Sequence, residues 1–301
     1  MSTGGKIGVA VVAMLVAASV AAPLWAHSVA HTGPNTTHVS ERVDGRDVIS
    51  RDGSPIGPTW QGRFFLGADP EGRDVMVRLL YGGRTSLLIA FAASLVTALF
   101  ACLAGFAAGW SRGSLDALVS RALDAVWAFP AILLAGSLGT ALTLGGVSVG
   151  PLTIDAGSQL VPILVIGLVS VPYFARPLRA EVRALRGEEF VTASRALGAS
   201  GPRILAREVA PNVVPTLAAL APVVMANSLL LEAALSFLGV GVQAPDASWG
   251  TLIAAGVERI TTAPQLAVAP GLVLAATVLG VNLLAAAGRR ALDPRAAAAL
   301  L

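Results

Sequence analysis

From residue 86 to residue 110 the chain carries no charged side chain. A helix needs about 20 predominantly apolar residues to cross the hydrocarbon core of a bilayer. No other feature narrows the possible folds as much. Backbone placed in lipid has no water to bond to, and a helix satisfies its own N–H and C=O groups within one segment. Five further runs reach or approach that length: 7–25, 118–142, 160–175, 213–231 and 266–287. Six membrane-spanning helices are expected. Composition agrees, with 55% hydrophobic and 13% charged residues and a mean hydropathy of +0.74. A soluble domain carries about 25% charged residues. The deficit is what a lipid-covered surface produces, and it disfavours a large soluble enzyme rich in Ala and Val.

Details of the runs point to a packed bundle. Pro162 and Pro172 lie near the ends of 160–175, and Pro215 and Pro222 lie within 213–231. Proline is tolerated in membrane helices when neighbours satisfy the freed carbonyls. Gly105 and Gly109 are four apart, a spacing that permits close helix contact. Arg121 and Asp124 are three apart near the start of 118–142, so they share a face and are expected to pair or to reach the interface.

Charge sets direction. The net charge is +3 and the pI about 9.7, an excess too small and too spread for nucleic-acid binding. Residues 176–212 hold Arg176, Arg179, Arg183, Arg186, Arg195, Arg203 and Arg207, whereas 143–159 has no Lys or Arg and 232–265 only Arg259. The positive-inside rule puts 176–212 in the cytoplasm, with both termini on the same side. The expected organisation is a cytoplasmic N-tail and first span (1–25), an extracytoplasmic loop (26–85), a five-helix core (86–287) and a cytoplasmic C-tail (288–301). Lys6, the apolar run and Ala26 also suit a cleaved signal peptide, but the run exceeds a usual signal core, so a retained span is favoured. Asp69, Arg73 and Asp74 are placed to organise the entry to the second span by charge pairing. His27, His31 and His38 share one polar stretch without metal-ligand spacing, and Cys102 stands alone, so no metal site and no internal disulfide is expected.

The most informative loop is 186–212. Glu188 to Leu197 reads as a short helix, with Glu188 and Glu189 at the positive end of its dipole. Phe190, Ala193 and Leu197 fall on one face. Gly198 suits a helix stop, Pro202 a new helix start, and Pro211 a break before the next span. A short amphipathic helix beyond the bilayer buries its face on lipid or in a partner's groove. One Phe, one Leu and alanines make a small face, which favours the groove.

Here the residues carry a resemblance. Thr192-Ala193-Ser194, then Gly198, then Val209-Ala210-Pro211, is similar to the EAA motif of ABC importer permeases, with Thr192 where the motif has Glu and Ser194 where it has its second Ala. Leu66-Gly67-Ala68-Asp69-Pro70-Glu71-Gly72-Arg73-Asp74 with Leu80-Tyr81-Gly82-Gly83-Arg84-Thr85-Ser86-Leu87 resembles the segment before the second span of dipeptide/oligopeptide permeases of the C type. The stretch from Glu232 to Gln243, with Pro245 and Ser248-Trp249-Gly250, and the closing Ala291-Leu292-Asp293-Pro294-Arg295, fit the same family. The resemblance covers about 64–295. It implies an all-α fold of six transmembrane helices, the type I ABC importer permease (MetI-like) fold, in a bacterial inner membrane. It implies that Glu188, Glu189, Phe190, Thr192, Ala193, Ser194, Leu197, Gly198 and Pro211 form a coupling element. It also implies four partners: a second permease subunit in a heterodimer, two nucleotide-binding ATPase subunits, and an extracytoplasmic solute-binding protein. ATP and Mg would be bound by the ATPase subunits, with no cofactor on this chain. The chain itself has no P-loop; its only lysine is Lys6.

Asn227, Glu232 and Asn282 are polar groups in or near spans, and intramembrane polar groups mark pathways or helix–helix bonds. Phe237 lies in the Gly-rich stretch 236–241, a candidate gate. The expected function is a peptide-importer permease subunit without catalytic activity. Two alternatives stand beside it. One is the same role for nickel or another small solute. The other is a stand-alone ion-coupled transporter, which would want ionisable groups at mid-membrane where these spans have almost none.

Overall fold

The computed structural model describes residues 3–145, 147–149, 152–155 and 157–292. The end of the C-tail, including Asp293-Pro294-Arg295, lies outside the described residues. Twelve helices are present among the described residues: α1 (Thr3–Val20), α2 (Ala22–Trp25), α3 (Val75–Trp110), α4 (Ser114–Trp127), α5 (Ala131–Gly145), α6 (Leu160–Val169), α7 (Val171–Leu185), α8 (Glu189–Ala196), α9 (Gly201–Ile204), α10 (Ala210–Phe237), α11 (Trp249–Val257) and α12 (Gln265–Leu292). Two wider helical turns, Ala26–Ala30 and Leu205–Val209, and two small antiparallel hairpins complete the order: β1 (Arg42–Val43) with β2 (Arg46–Asp47), and β3 (Val147–Val149) with β4 (Leu152–Ile154). The first turns on Asp44-Gly45, both at positive φ, as a two-residue hairpin loop requires.

Four helices are long and apolar enough to cross a membrane, and six spans result if each of two bent pairs counts as one. The bent pairs are α4 with α5, at 88°, and α6 with α7, at 41°. The run 118–142 is therefore not one straight helix. Pro130 follows the end of α4 and cannot donate the N–H that would continue it. The second pair breaks at Ser170, just before Pro172.

α3 is the axis of the molecule. It packs against α7, α10, α6 and α1, and α12 closes the bundle against α1, α10 and α11. At 36 residues α3 is about 54 Å long, well beyond the roughly 30 Å hydrocarbon layer. It begins at Val75 rather than at the expected Ser86. The extra turns carry Arg78, and hydropathy rejects a segment with buried arginine. The structure supplies its partners: Pro34 O at 3.0 Å, Asn35 Oδ1 at 3.1 Å, and Asp69 Oδ2 at 3.4 Å from Nε. Asp69 also accepts from Arg73 Nε at 2.7 Å, and Asp74 caps α3 by accepting from Val77 N at 3.0 Å. Burial pushes the Asp74 carboxyl above its ordinary value, against the backbone N–H bonds of Val77 and Phe64 that lower it. Residues 31–74 fold into a small lobe over this end, with Val48, Ile56, Phe64 and Ala68 as its core.

Lipid gives helices little hydrophobic reason to associate, so close packing carries the bundle. A Cβ on Gly105 would lie 2.9 Å from Leu178, and one on Gly109 2.7 Å from Val182 and 2.8 Å from Arg179 O. These contacts fasten α3 to α7. Thr97 Oγ1 donates across to Gly167 O at 2.9 Å, fastening α3 to α6.

Candidate functional site

The α8–α9 segment sits at the Trp110 end of α3, opposite the 31–74 lobe. Three contacts place it there. Arg186 Nη1 donates to Trp110 O at 2.9 Å and Ser111 O at 2.7 Å, which satisfies carbonyls at the negative end of the α3 dipole. The Arg195 guanidinium lies 5.4 Å above the Trp110 ring. Val191 is fully buried with Leu178, Val182, Ile204, Val209 and Val213, and Phe190 packs half-buried against them.

The outward side of α8 differs from the expected stripe. Phe190, Ala193 and Leu197 do not form one inward face. Val191 with Phe190 makes the seat, Ala193 is exposed, and Leu197 is 89% exposed. Eight residues give barely two turns, so one buried position is enough to seat the helix and the rest of its apolar stripe turns outward. Glu188, Glu189 and Thr192 are also exposed, and Ser194 is half-buried. Thr192 Oγ1 reaches back to Glu188 O at 3.4 Å.

Gly198 ends α8 at φ +83°. Its N–H donates to Arg195 O at 2.9 Å, and Ala199 N–H donates to Ser194 O at 3.0 Å. The pair is a Schellman C-cap, which needs the left-handed conformation at Gly198. Pro202 stands in the first turn of α9. Pro211 does not end the helix, contrary to the sequence expectation. It sits in the first turn of α10, after a wider turn at Leu205–Val209 that takes up its missing N–H, and the path from Gly201 to Phe237 is continuous.

The four polar or gate candidates do not converge. Glu232 is fully buried; Ser236 Oγ donates to its Oε1 at 2.7 Å, and the Ser86 and Ser248 hydroxyls also approach the carboxylate. Beside it Trp249 N donates to Ser86 Oγ at 3.1 Å, and Trp249 Nε1 to Leu79 O at 3.1 Å. Trp249 thus joins α3 to the start of α11 beside Glu232. Asn227 reaches Ser170 Oγ at 3.5 Å, at the break between α6 and α7. Phe237 is exposed at the end of α10, and Asn282 is exposed on α12. Sequence reasoning missed Val191, Ile204 and Trp110, which seat α8. Only the aromatic–Arg pairing of Trp110 and Arg195 offered a signal, and it joins residues far apart in the chain. Among the described residues no group of three His, Cys, Asp or Glu side chains is placed to hold a metal ion. His38 is engaged by Thr32 Oγ1 at 2.6 Å and Glu41 Oε1 at 2.7 Å.

The arrangement is a helical bundle with a short, apolar-tipped helix projecting from one end. Residues 101–298 match the family described as "Binding-protein-dependent transport system inner membrane component". The chain belongs to that family. This inner membrane component is 35% identical over 292 residues to a putative peptide transport system permease protein of Brucella suis biovar 1 (strain 1330), covering 96% of this chain and 87% of the relative. It is 36% identical over 242 residues to the di/tripeptide transport system permease protein DppC of Pseudomonas aeruginosa (strain UCBPP-PA14), covering 79% of this chain and 76% of that one. Its fold is similar to that of a chain in the inward-facing MetNI methionine ABC transporter, CY5 native crystal form. The TM-score is 0.56 at 18% identity, covering 72% of this chain and 97% of the other. The fold is thus the MetI-like permease fold, in a multi-pass inner membrane protein.

Proposed function

We propose that this chain is a transmembrane subunit of an ABC importer for peptides, forming half of the translocation pathway with a different second permease. The complex carries two ATPase subunits, which bind ATP and Mg, and one of them docks on the α8–α9 segment in the cytoplasm. The 31–74 lobe faces the opposite side, where a solute-binding protein delivers the peptide. One observation carries the coupling role: α8 is seated by Val191 on the α3–α7 core while Leu197 projects outward, 89% exposed. A helix held this way passes a push from a partner into α3, α7 and α10 as a rigid-body displacement. The names of the relatives favour peptides over nickel or another small solute. Within this reading the 188–198 segment and Pro211 couple to the ATPase, Glu232 lies beside the joint between α3 and α11, and the chain itself hydrolyses no ATP.

The test is reconstitution of this chain with its neighbouring second permease, ATPases and binding protein in proteoliposomes. ATP-dependent uptake of a radiolabelled dipeptide, and co-elution with two ATPase subunits, are the expected results. Uptake by this chain alone without ATP would establish the ion-coupled alternative instead.

A further inference from the structure

Four arginines gather at the end of α3, around Trp110. Arg186 bonds to Trp110 O and Ser111 O, and Arg195 lies over the Trp110 ring. Arg112 follows that end directly in the chain. Arg183 is brought by α7, whose neighbouring Val182 packs where a Cβ on Gly109 would be only 2.7 Å away. Among the described residues none of the four forms an ion pair with a carboxylate. The carboxylates of α4 are engaged elsewhere: Asp116 with Arg179 Nη2 at 2.8 Å, and Asp124 with Arg176 rather than with the expected Arg121. Burial first, then the charges of Arg112, Arg183 and Arg195, hold the Arg186 guanidinium below its ordinary value. Arg186 and Arg195 are tied to the end of α3. Arg112 and Arg183 are exposed, and among the described residues their side chains make no hydrogen bond or ion pair.

The patch lies past the part of α3 that suits lipid. The exposed bulky side chains of α3 are Leu88, Phe91, Leu95, Leu99, Phe100 and Leu103. Trp110 stands about 10 Å further along the axis than Leu103, at a rise of about 1.5 Å per residue. This agrees with the cytoplasmic placement of 176–212. The patch is also continuous with α8, which carries Arg195 and ends at the outward Leu197.

Resting on the coupling role proposed above, we infer that Arg112, Arg183 and Arg195 form an electrostatic docking surface for an acidic patch on the ATPase subunit that contacts α8. An α8 of 8 residues is about 12 Å long. Its outward face is far smaller than the roughly 800 Å² that each partner commits to a specific interface. The contact therefore extends past α8, and the surface next to it is the arginine patch. Like charges without carboxylates repel one another, and carboxylates from a partner relieve that repulsion on docking. Arg112 and Arg183 are free to receive them, and a guanidinium takes a carboxylate through paired N–H bonds. Charges of this kind speed and orient the encounter, while Leu197 supplies the apolar contact.

The experiment titrates the ATPase subunit onto the permease pair in phosphatidylcholine nanodiscs and reads Kd at about 0.05 M and about 0.3 M salt, on either side of physiological screening. Wild type should bind more weakly at the higher salt. Arg112→Gln combined with Arg183→Gln should weaken binding about fivefold at the lower salt, the worth of two exposed ion pairs, and flatten the salt dependence. Arg112→Lys combined with Arg183→Lys should keep most of the wild-type affinity. Leu197→Ala should weaken binding by the same factor at both salts. Equal affinity and equal salt dependence in wild type and the double Gln variant, with the permease pair intact on size exclusion, overturn the docking surface and leave the α8 contact standing. A loss in the Gln variant that appears only when the nanodisc holds phosphatidylglycerol assigns the arginines to anionic lipid and overturns it as well. Wild type that binds no ATPase at either salt removes the coupling role along with it.

Discussion

Gly198→Val is the sharpest perturbation of the proposed coupling element. Gly198 stands at φ +83°, and a Cβ built on it would meet nothing within 4 Å. The cost is therefore not steric crowding but the left-handed backbone itself, about 1–2 kcal/mol for an L side chain. A bundle spanning the membrane survives that. The strain is relieved locally instead, by opening the two bonds from Gly198 and Ala199 to Arg195 and Ser194. A change of 1–2 kcal/mol shifts a two-state population by about 5–30-fold. Peptide uptake per ATP hydrolysed should fall by about that factor in proteoliposomes, with assembly unchanged on size exclusion. Gly198→Asn is the control, since Asn enters the left-handed region at lower cost; it should retain most of the coupling. Uptake per ATP in Gly198→Val equal to wild type, or an equal loss in the Val and Asn variants, would refute the backbone argument.

Two further outcomes follow from the packing and the charges. Gly109→Val drives its side chain into Val182 and Arg179 O, so overpacking of about 1–3 kcal/mol should lower the melting temperature in detergent, whereas an exposed change such as Asn282→Ala should leave it in place. The Glu41 carboxyl is held below its ordinary value of 4.5, chiefly by the His38 hydrogen bond and further by the charges of His38 and Arg63. Its contribution to the 31–74 lobe is therefore present above that value and lost as pH falls through the lowered one. Hydrogen exchange in 31–74, corrected for intrinsic rate, should rise from about pH 6 to about pH 3 in wild type and depend less on pH in Glu41→Gln.

Much of the membrane architecture was readable because it follows from length and hydropathy alone. What those quantities lack is direction and partnership. The run 118–142 has the composition of one span, but the break at Pro130 turns it through 88°. Arg78 made the first turns of α3 look like loop, since its partners Pro34, Asn35 and Asp69 come from the preceding lobe. In α8 the 3.6-residue period places apolar side chains on one stripe but does not tell a seat from a docking face. Val191 became the seat because Leu178 and Ile204 meet it, and both belong to other elements. Glu232 was legible as a polar group in a span; Ser86 and Ser248, which approach it, belong to α3 and the start of α11.

Cross-linking tests the proposed contact of α8 with the ATPase. With Cys102, which is the sole cysteine, replaced by serine, Leu197→Cys is introduced and the assembled transporter is treated with a short bis-maleimide. Trp60→Cys, exposed on the lobe at the far end of α3, serves as the comparison. An adduct is expected between residue 197 and an ATPase subunit, with a yield that changes with ATP, and none from residue 60. An ATPase adduct from residue 60, or none from residue 197 in a complex that still couples hydrolysis to uptake, contradicts it.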